Sequence, residues 1–159
     1  MLLNQREAML ERFHPIAPCV CAKACPMRND DNLRHWCHFF AKTPMEAFMD
    51  GDWAQFAKIM EIDLRSLPYS FICMDAQSLA SVPKLDGHSR VLGRPRQFKG
   101  YSKVFSCDAN GLSDYELQKR DDKPLWKSIK KGKDGSLYQW TDIDSGRILS
   151  GNSAKEKCS

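Results

Sequence analysis

The chain has 159 residues, 42% hydrophobic and 28% charged, with a net charge of +4, a balance that excludes wholesale disorder and fits a single domain with a real core. No apolar run approaches the roughly 20 residues of a membrane-spanning helix. Seven cysteines is an odd number and no apolar signal-peptide core opens the chain, which argues against a secreted disulfide framework and for a reducing compartment where thiols can bind metal.

Leu2, Leu3, Met9, Leu10 and Phe13 recur at helical spacing and predict a short amphipathic helix over 2–13 that stops before Pro15. Arg6 and Arg12 alternate there with Glu7 and Glu11, a poor organelle-targeting pattern, so the compartment is not legible in this segment. Residues 14–38 hold three prolines and four cysteines with little periodicity and read as a loop ordered by a metal.

Thr43-Pro44-Met45-Glu46 has the form of a capping box and predicts a helix opening at Pro44, interrupted by Asp50-Gly51-Asp52. Trp53, Phe56, Ala57, Met60 and Leu64 then predict a second amphipathic helix over 52–65 whose stripe packs into the core. From Pro68 the runs Tyr69–Met74, Ser89–Leu92, Tyr101–Cys107 and Tyr115–Lys119 read as strands, one pair separated by the turn Asp108-Ala109-Asn110-Gly111. A helix over Pro124–Lys131 should end at Gly132, and Ser136–Trp140 with Arg147–Leu149 should form a hairpin across Asp144-Ser145-Gly146. The tail after Gly151 reads as flexible. The expected class is α+β: N-terminal helices and a cysteine-rich loop on a small antiparallel β-meander or partial barrel, with 133–159 as a hairpin and tail appended to a module over 1–132.

Cys19, Cys21, Cys25 and Cys37 fall within nineteen residues, the density of thiolates that a soft metal or an iron-sulfur cluster draws from a loop. Cys19 and Cys21 are too close for a C-x2-C knuckle, and the C-x5-C and C-x3-C pairs match no standard zinc ribbon. That irregularity weakens zinc more than a cluster, whose ligands can come from distant parts of a fold. Structural zinc, an iron-sulfur cluster and unligated thiols all stay open on spacing. Cys107 ends a strand before a turn, where a side chain can project from a sheet rim toward the loop. Cys73 lies in an apolar run and reads as a buried hydrophobe, Cys158 as a bystander in the tail. His35 and His38 flank Trp36-Cys37 and read as hydrogen-bond donors to thiolates, with direct ligation as the alternative. His14 and His88 are isolated.

Charge is unevenly placed: residues 1–75 carry 8 basic and 10 acidic side chains, while 76–159 carry 16 and 10, which makes the second half +6. Arg90, Arg94, Arg96, Lys99 and Lys103 come without an intervening acid, and residues 119–133 add seven basic against two acidic. Such a surface suits the backbone phosphates of RNA, bound with salt-sensitive affinity and little sequence preference.

Pro18-Cys19, Cys25-Pro26-Met27, Trp36-Cys37-His38-Phe39, Arg90-Val91-Leu92-Gly93-Arg94-Pro95-Arg96 with Lys99-Gly100, and Cys107 before Asn110-Gly111 together resemble the C-terminal part of the Rsm-type mitochondrial small-ribosomal-subunit proteins, the methyltransferase-like protein 17 family. The blocks agree in order from about residue 15 to residue 132. The resemblance implies a [4Fe-4S] cluster on Cys19, Cys25, Cys37 and Cys107, with Cys21 where relatives commonly have histidine, and zinc as the alternative metal. It implies a mitochondrial assembly factor that sits on the rRNA of the small subunit between head and body, a bacterial cytoplasm being the other setting. Family members carry a Rossmann-like methyltransferase domain ahead of this region. No G-x-G turn of that kind occurs here, so this stretch by itself is expected neither to bind S-adenosylmethionine nor to transfer a methyl group. Two alternatives remain: a methyltransferase-related subunit that needs a partner chain with the missing domain, and a zinc-stabilised RNA-binding module.

Overall fold

A computed structural model describes residues 2–31, 35–76, 85–132 and 136–154. Its elements, in chain order, are α1 (Leu2–Met9), β1 (His14–Ala17), a 3-10 turn over Pro26–Asn29, β2 (Phe39–Ala41), α2 (Glu46–Met49), α3 (Gly51–Met60), β3 (Leu67–Tyr69) and β4 (Cys73–Asp75). There follow β5 (His88–Val91), β6 (Arg96–Gln97), β7 (Tyr101–Asp108), β8 (Gly111–Gln118), α4 (Lys123–Lys131), β9 (Leu137–Asp144) and β10 (Arg147–Ser153).

The core is a barrel. Neighbours run β5-β9-β10-β8-β7, and β7 returns to β5 through Arg90↔Cys107 and Val91↔Ser106, which closes the ring. The β6 segment pairs with β7 on the same side, Arg96↔Lys103, so β5 and β6 act as one strand interrupted at residues 92–95. Counting that pair as the first strand, the order around the ring is 1-2-3-5-4, a helix links the third strand to the fourth, and β8 runs parallel to β10. This is the topology of an OB-type barrel. The α+β class and partial barrel expected from sequence are therefore present, but β9 and β10 are staves of the barrel, so the boundary placed after residue 132 cuts through one structural unit.

Alternation drives the closure. Ser102, Val104 and Ser106 point inward from β7 and are buried, while their neighbours are partly exposed. Val104, Leu117, Tyr138 and Ile148 fill the interior with Leu125 and Ile129 of α4, each fully buried apolar side chain contributing about 1.5–3 kcal/mol. The α4 helix starts where Asp122 accepts a 2.8 Å hydrogen bond from the Leu125 N–H, and ends at Gly132 in the left-handed region, as the sequence predicts.

Outside the barrel several expectations are corrected. The first helix stops at Met9, because residues 14–17, expected as loop, form β1 and pair with β4. The run Tyr69–Met74 is not one strand: β3 pairs with β2 and β4 with β1, in two separate ribbons. Cys73 is consequently exposed rather than buried. The capping box does not form, because the Thr43 hydroxyl donates to the Leu64 carbonyl and the α2 helix opens at Glu46 without a side-chain cap. The α3 helix ends at Met60, and its Trp53, Phe56 and Met60 are exposed, since the barrel strands and α4 complete the core without them. The last strand reaches Ser153, past the expected start of the tail, and Cys158 lies outside the described residues.

Candidate metal centre and basic surface

The loop after β1 is clipped at three points, two on the barrel rim and one on α1. Arg90 of β5, only 4% exposed, donates from Nε to the Pro18 carbonyl at 2.8 Å. Lys23 donates to the Ala109 carbonyl in the β7–β8 turn at 2.9 Å. Arg6 of α1, also 4% exposed, donates to the carbonyls of Cys21 at 3.3 Å and Lys23 at 2.8 Å, and from Nε to Cys19 Sγ at 3.3 Å. Glu7 completes the clasp, pairing with Arg6 at 2.5 Å and accepting the Cys25 N–H at 3.3 Å.

Between clasp and rim lies a cavity of about 140 Å³ whose wall includes Cys19, Cys21, Cys25, Cys37 and Cys107. Residues 88 positions apart in sequence, Cys19 and Cys107, thus face one space, as the strand-end position of Cys107 suggested. The volume is several times the roughly 30 Å³ share of one water. Among the described residues no three Cys, His, Asp or Glu side chains converge on the point a single ion would occupy. The five cysteines are wall residues of one cavity. Burial pushes the thiols of Cys37 and Cys107 up to about 12, reinforced by the neighbouring cysteines, and burial raises Cys25 too. Five sulfurs with Arg6 and Arg90 in the same wall make a soft donor set beside two fixed positive charges, a combination that fits an anionic metal-thiolate group.

The two histidines do not reach this cavity. His35 pairs with Asp30 at 2.7 Å and packs on Phe105, while His38 stacks on Trp36 and holds the Trp36 carbonyl at 2.8 Å. His38 acts on the backbone at Gly93, whose N–H donates to the His38 carbonyl at 2.8 Å. Their expected role as thiolate donors or ligands is set aside. Arg6 takes that role for Cys19; the available signal was an arginine sharing the apolar stripe of Leu2, Leu3, Met9 and Leu10.

The expected basic face also divides. Arg90 is buried in the wall of the cysteine-lined cavity and leaves the face. Arg96 pairs with Asp114 at 2.5 Å, and Lys103 reaches the same carboxylate at 3.8 Å. Arg94 lies over the Phe40 ring at 4.3 Å. Lys99 joins Lys119, Arg120 and Lys123 around an open depression of about 580 Å³. No helix among the described residues is long and apolar enough to cross a membrane. No family model, curated protein or solved structure matches the chain.

Proposed function

We propose that this chain is an assembly-factor module of the small ribosomal subunit, mitochondrial as in the family it resembles, that binds rRNA through its basic surface and carries a [4Fe-4S] cluster on Cys19, Cys25, Cys37 and Cys107. The observation that carries the reading is the single cavity to which the loop and the barrel rim contribute these four cysteines. A lone tetrahedral zinc, with bonds of about 2.3 Å, draws its sulfurs to roughly 3.8 Å of one another. A polynuclear group takes its thiolates from a wider space, and what supports it here is that the loop cysteines and Cys107 of the rim line one cavity. Bound there, the cluster supplies a four-point tie between loop and barrel. The protein's own residues do the rest: Arg6 and Arg90 offset thiolate charge, and Lys23 fixes the loop to the β7–β8 turn. Arg94 and Lys99 then stand on the barrel surface for RNA phosphate, joined by Arg96 and Lys103 when phosphate displaces the carboxylate of Asp114, with no catalytic group required of this chain.

The test is anaerobic purification with iron, acid-labile sulfide and zinc measured beside the visible spectrum. About four irons and four sulfides with a brown chromophore are expected. A colourless protein with stoichiometric zinc would replace the cluster by the zinc-stabilised module. RNA binding is read separately, as a fall in affinity with rising salt.

A second reading is favoured by the α2–α3 surface, where Phe48, Met49, Trp53, Phe56, Ile59 and Met60 are all exposed. An apolar patch of this kind marks a docking surface. It suits the alternative of a methyltransferase-related subunit completed by a partner with an S-adenosylmethionine-binding domain, and copurification with such a partner tests it.

A further inference from the structure

A groove of about 700 Å³ runs between the β2–β3 ribbon and the barrel, apart from the metal cavity and from the depression at Lys99. The ribbon forms one wall with Phe40, Lys42, Tyr69 and Phe71, and the interrupted first strand contributes Arg94. The C-terminal turn of α4 adds Lys130 and Lys131 to the lining. Tyr69 is 42% exposed and stacks on Phe71 with ring centroids 5.8 Å apart and planes 25° from parallel. No Asp or Glu lines the groove among the described residues.

We propose that this groove binds an unpaired stretch of RNA, with a base stacked on the exposed Tyr69 platform and phosphates held by Arg94, Lys42, Lys130 and Lys131. The inference rests on the RNA reading above and adds the form of RNA and the place. The size falls within the roughly 300–1,000 Å³ typical of ligand pockets. Cations and an aromatic platform lining one groove are the two components of single-strand recognition: backbone neutralisation and base stacking. A duplex could use only the first, because its base faces are already covered by their neighbours. The Arg94 guanidinium, stacked on Phe40, adds a second flat cationic surface at the groove edge. An apolar peptide would leave these cations without a counter-charge.

The experiment is fluorescence anisotropy of the full chain with a short unstructured oligoribonucleotide and with its blunt duplex, over a salt series. The single strand should bind more tightly than the duplex. Tyr69→Ala should weaken single-strand binding by about tenfold or more, and Tyr69→Phe should retain it. Lys130→Glu with Lys131→Glu, on an exposed helix end, should flatten the salt dependence while leaving the stacking platform in place, with unfolding measured alongside because Lys130 Nζ lies over the Trp126 ring at 5.0 Å. If Tyr69→Ala and the lysine reversals bind the single strand as the parent does, the groove proposal falls while RNA binding stands. Failure of the parent to bind either RNA form overturns both readings.

Discussion

Arg6 Nε lies 3.3 Å from Cys19 Sγ, so a helix that precedes the cysteine loop holds the first of its thiols in place. The same guanidinium donates to two loop carbonyls and pairs with Glu7, which binds the Cys25 N–H. Removing it deprives two loop carbonyls, Cys19 Sγ and Glu7 of their shared donor. Arg6→Ala should cost about 2–4 kcal/mol, from several hydrogen bonds made by a charged donor, and lower the metal content of purified protein. Urea unfolding with the iron assay checks this; an unchanged midpoint and unchanged iron would show that α1 does not hold the loop.

Arg90 and Arg94 are four residues apart and predict opposite phenotypes. Arg90 is buried with its Nε on the Pro18 carbonyl, whereas Arg94 is exposed above Phe40. Arg90→Gln should destabilise the fold by about 1–3 kcal/mol and release metal. Arg94→Glu should leave metal content unchanged, cost no more than about 1 kcal/mol for the exposed contact with Phe40, and weaken RNA binding, most at low salt. The paired measurement is denaturant unfolding against RNA titration, and identical behaviour of the two variants would contradict the division of the basic segment.

In the metal-free chain, burial raises the thiols of Cys37 and Cys107 from an ordinary 9.0 to about 12. Folding therefore favours the neutral thiol. Below pH 9 folded and unfolded chains both keep these protons and the contribution is fully present; above it the unfolded chain ionises first. Stability of the metal-free protein should fall as pH rises from about 9 toward 12. Metal binding reverses the sign, because thiolate ligands must lose their protons and metal retention weakens in acid. Thermal unfolding with and without metal across this range reads both trends, and a flat alkaline limb for the metal-free chain would contradict the buried thiols.

Gly93 sits at φ +65° in the interruption of the first barrel strand, where an added Cβ would come within 2.6 Å of His38 Nε2. Left-handed strain and this contact act together, so Gly93→Ala should cost more than the roughly 1 kcal/mol of the backbone term alone. The shift in unfolding midpoint measures it, and a cost of a few tenths would mean that His38 moves aside freely.

The barrel strands were legible because β7 alternates buried and exposed positions and because turn residues at Asn110-Gly111 and Ser145-Gly146 mark its hairpins. The parallel pairing of β8 with β10 was not, since closure depends on contacts between distant segments rather than on any local pattern. The α3 stripe shows the limit of periodicity: Trp53, Phe56 and Met60 mark one helix face but carry no record of whether anything covers it. For the cysteine-lined cavity, the loop cysteines stood out by density and Cys107 by its position at a strand end. Arg90 could be read only as a surface charge, because its carbonyl partner at Pro18 lies 72 residues away.

Five cysteines around the cavity leave one more thiol than a four-ligand cluster uses, and the surplus decides the ligand assignment. Single Cys19→Ser, Cys25→Ser, Cys37→Ser and Cys107→Ser variants should each lower iron and sulfide sharply, since serine replaces a soft thiolate with a hard, poorly ionised hydroxyl. Cys21→Ser should retain the cluster, and Cys73→Ser, exposed on β4 and absent from the cavity wall, should behave as the parent does. The same comparison addresses the relation between Cys21 and Cys25, four residues apart on one loop. If Cys21→Ser loses iron while Cys25→Ser keeps it, the ligand is Cys21 and the loop is pinned at a different point. If none of the five cavity variants changes iron or zinc content, the cavity is not a metal centre, and the proposed function loses the observation that carries it.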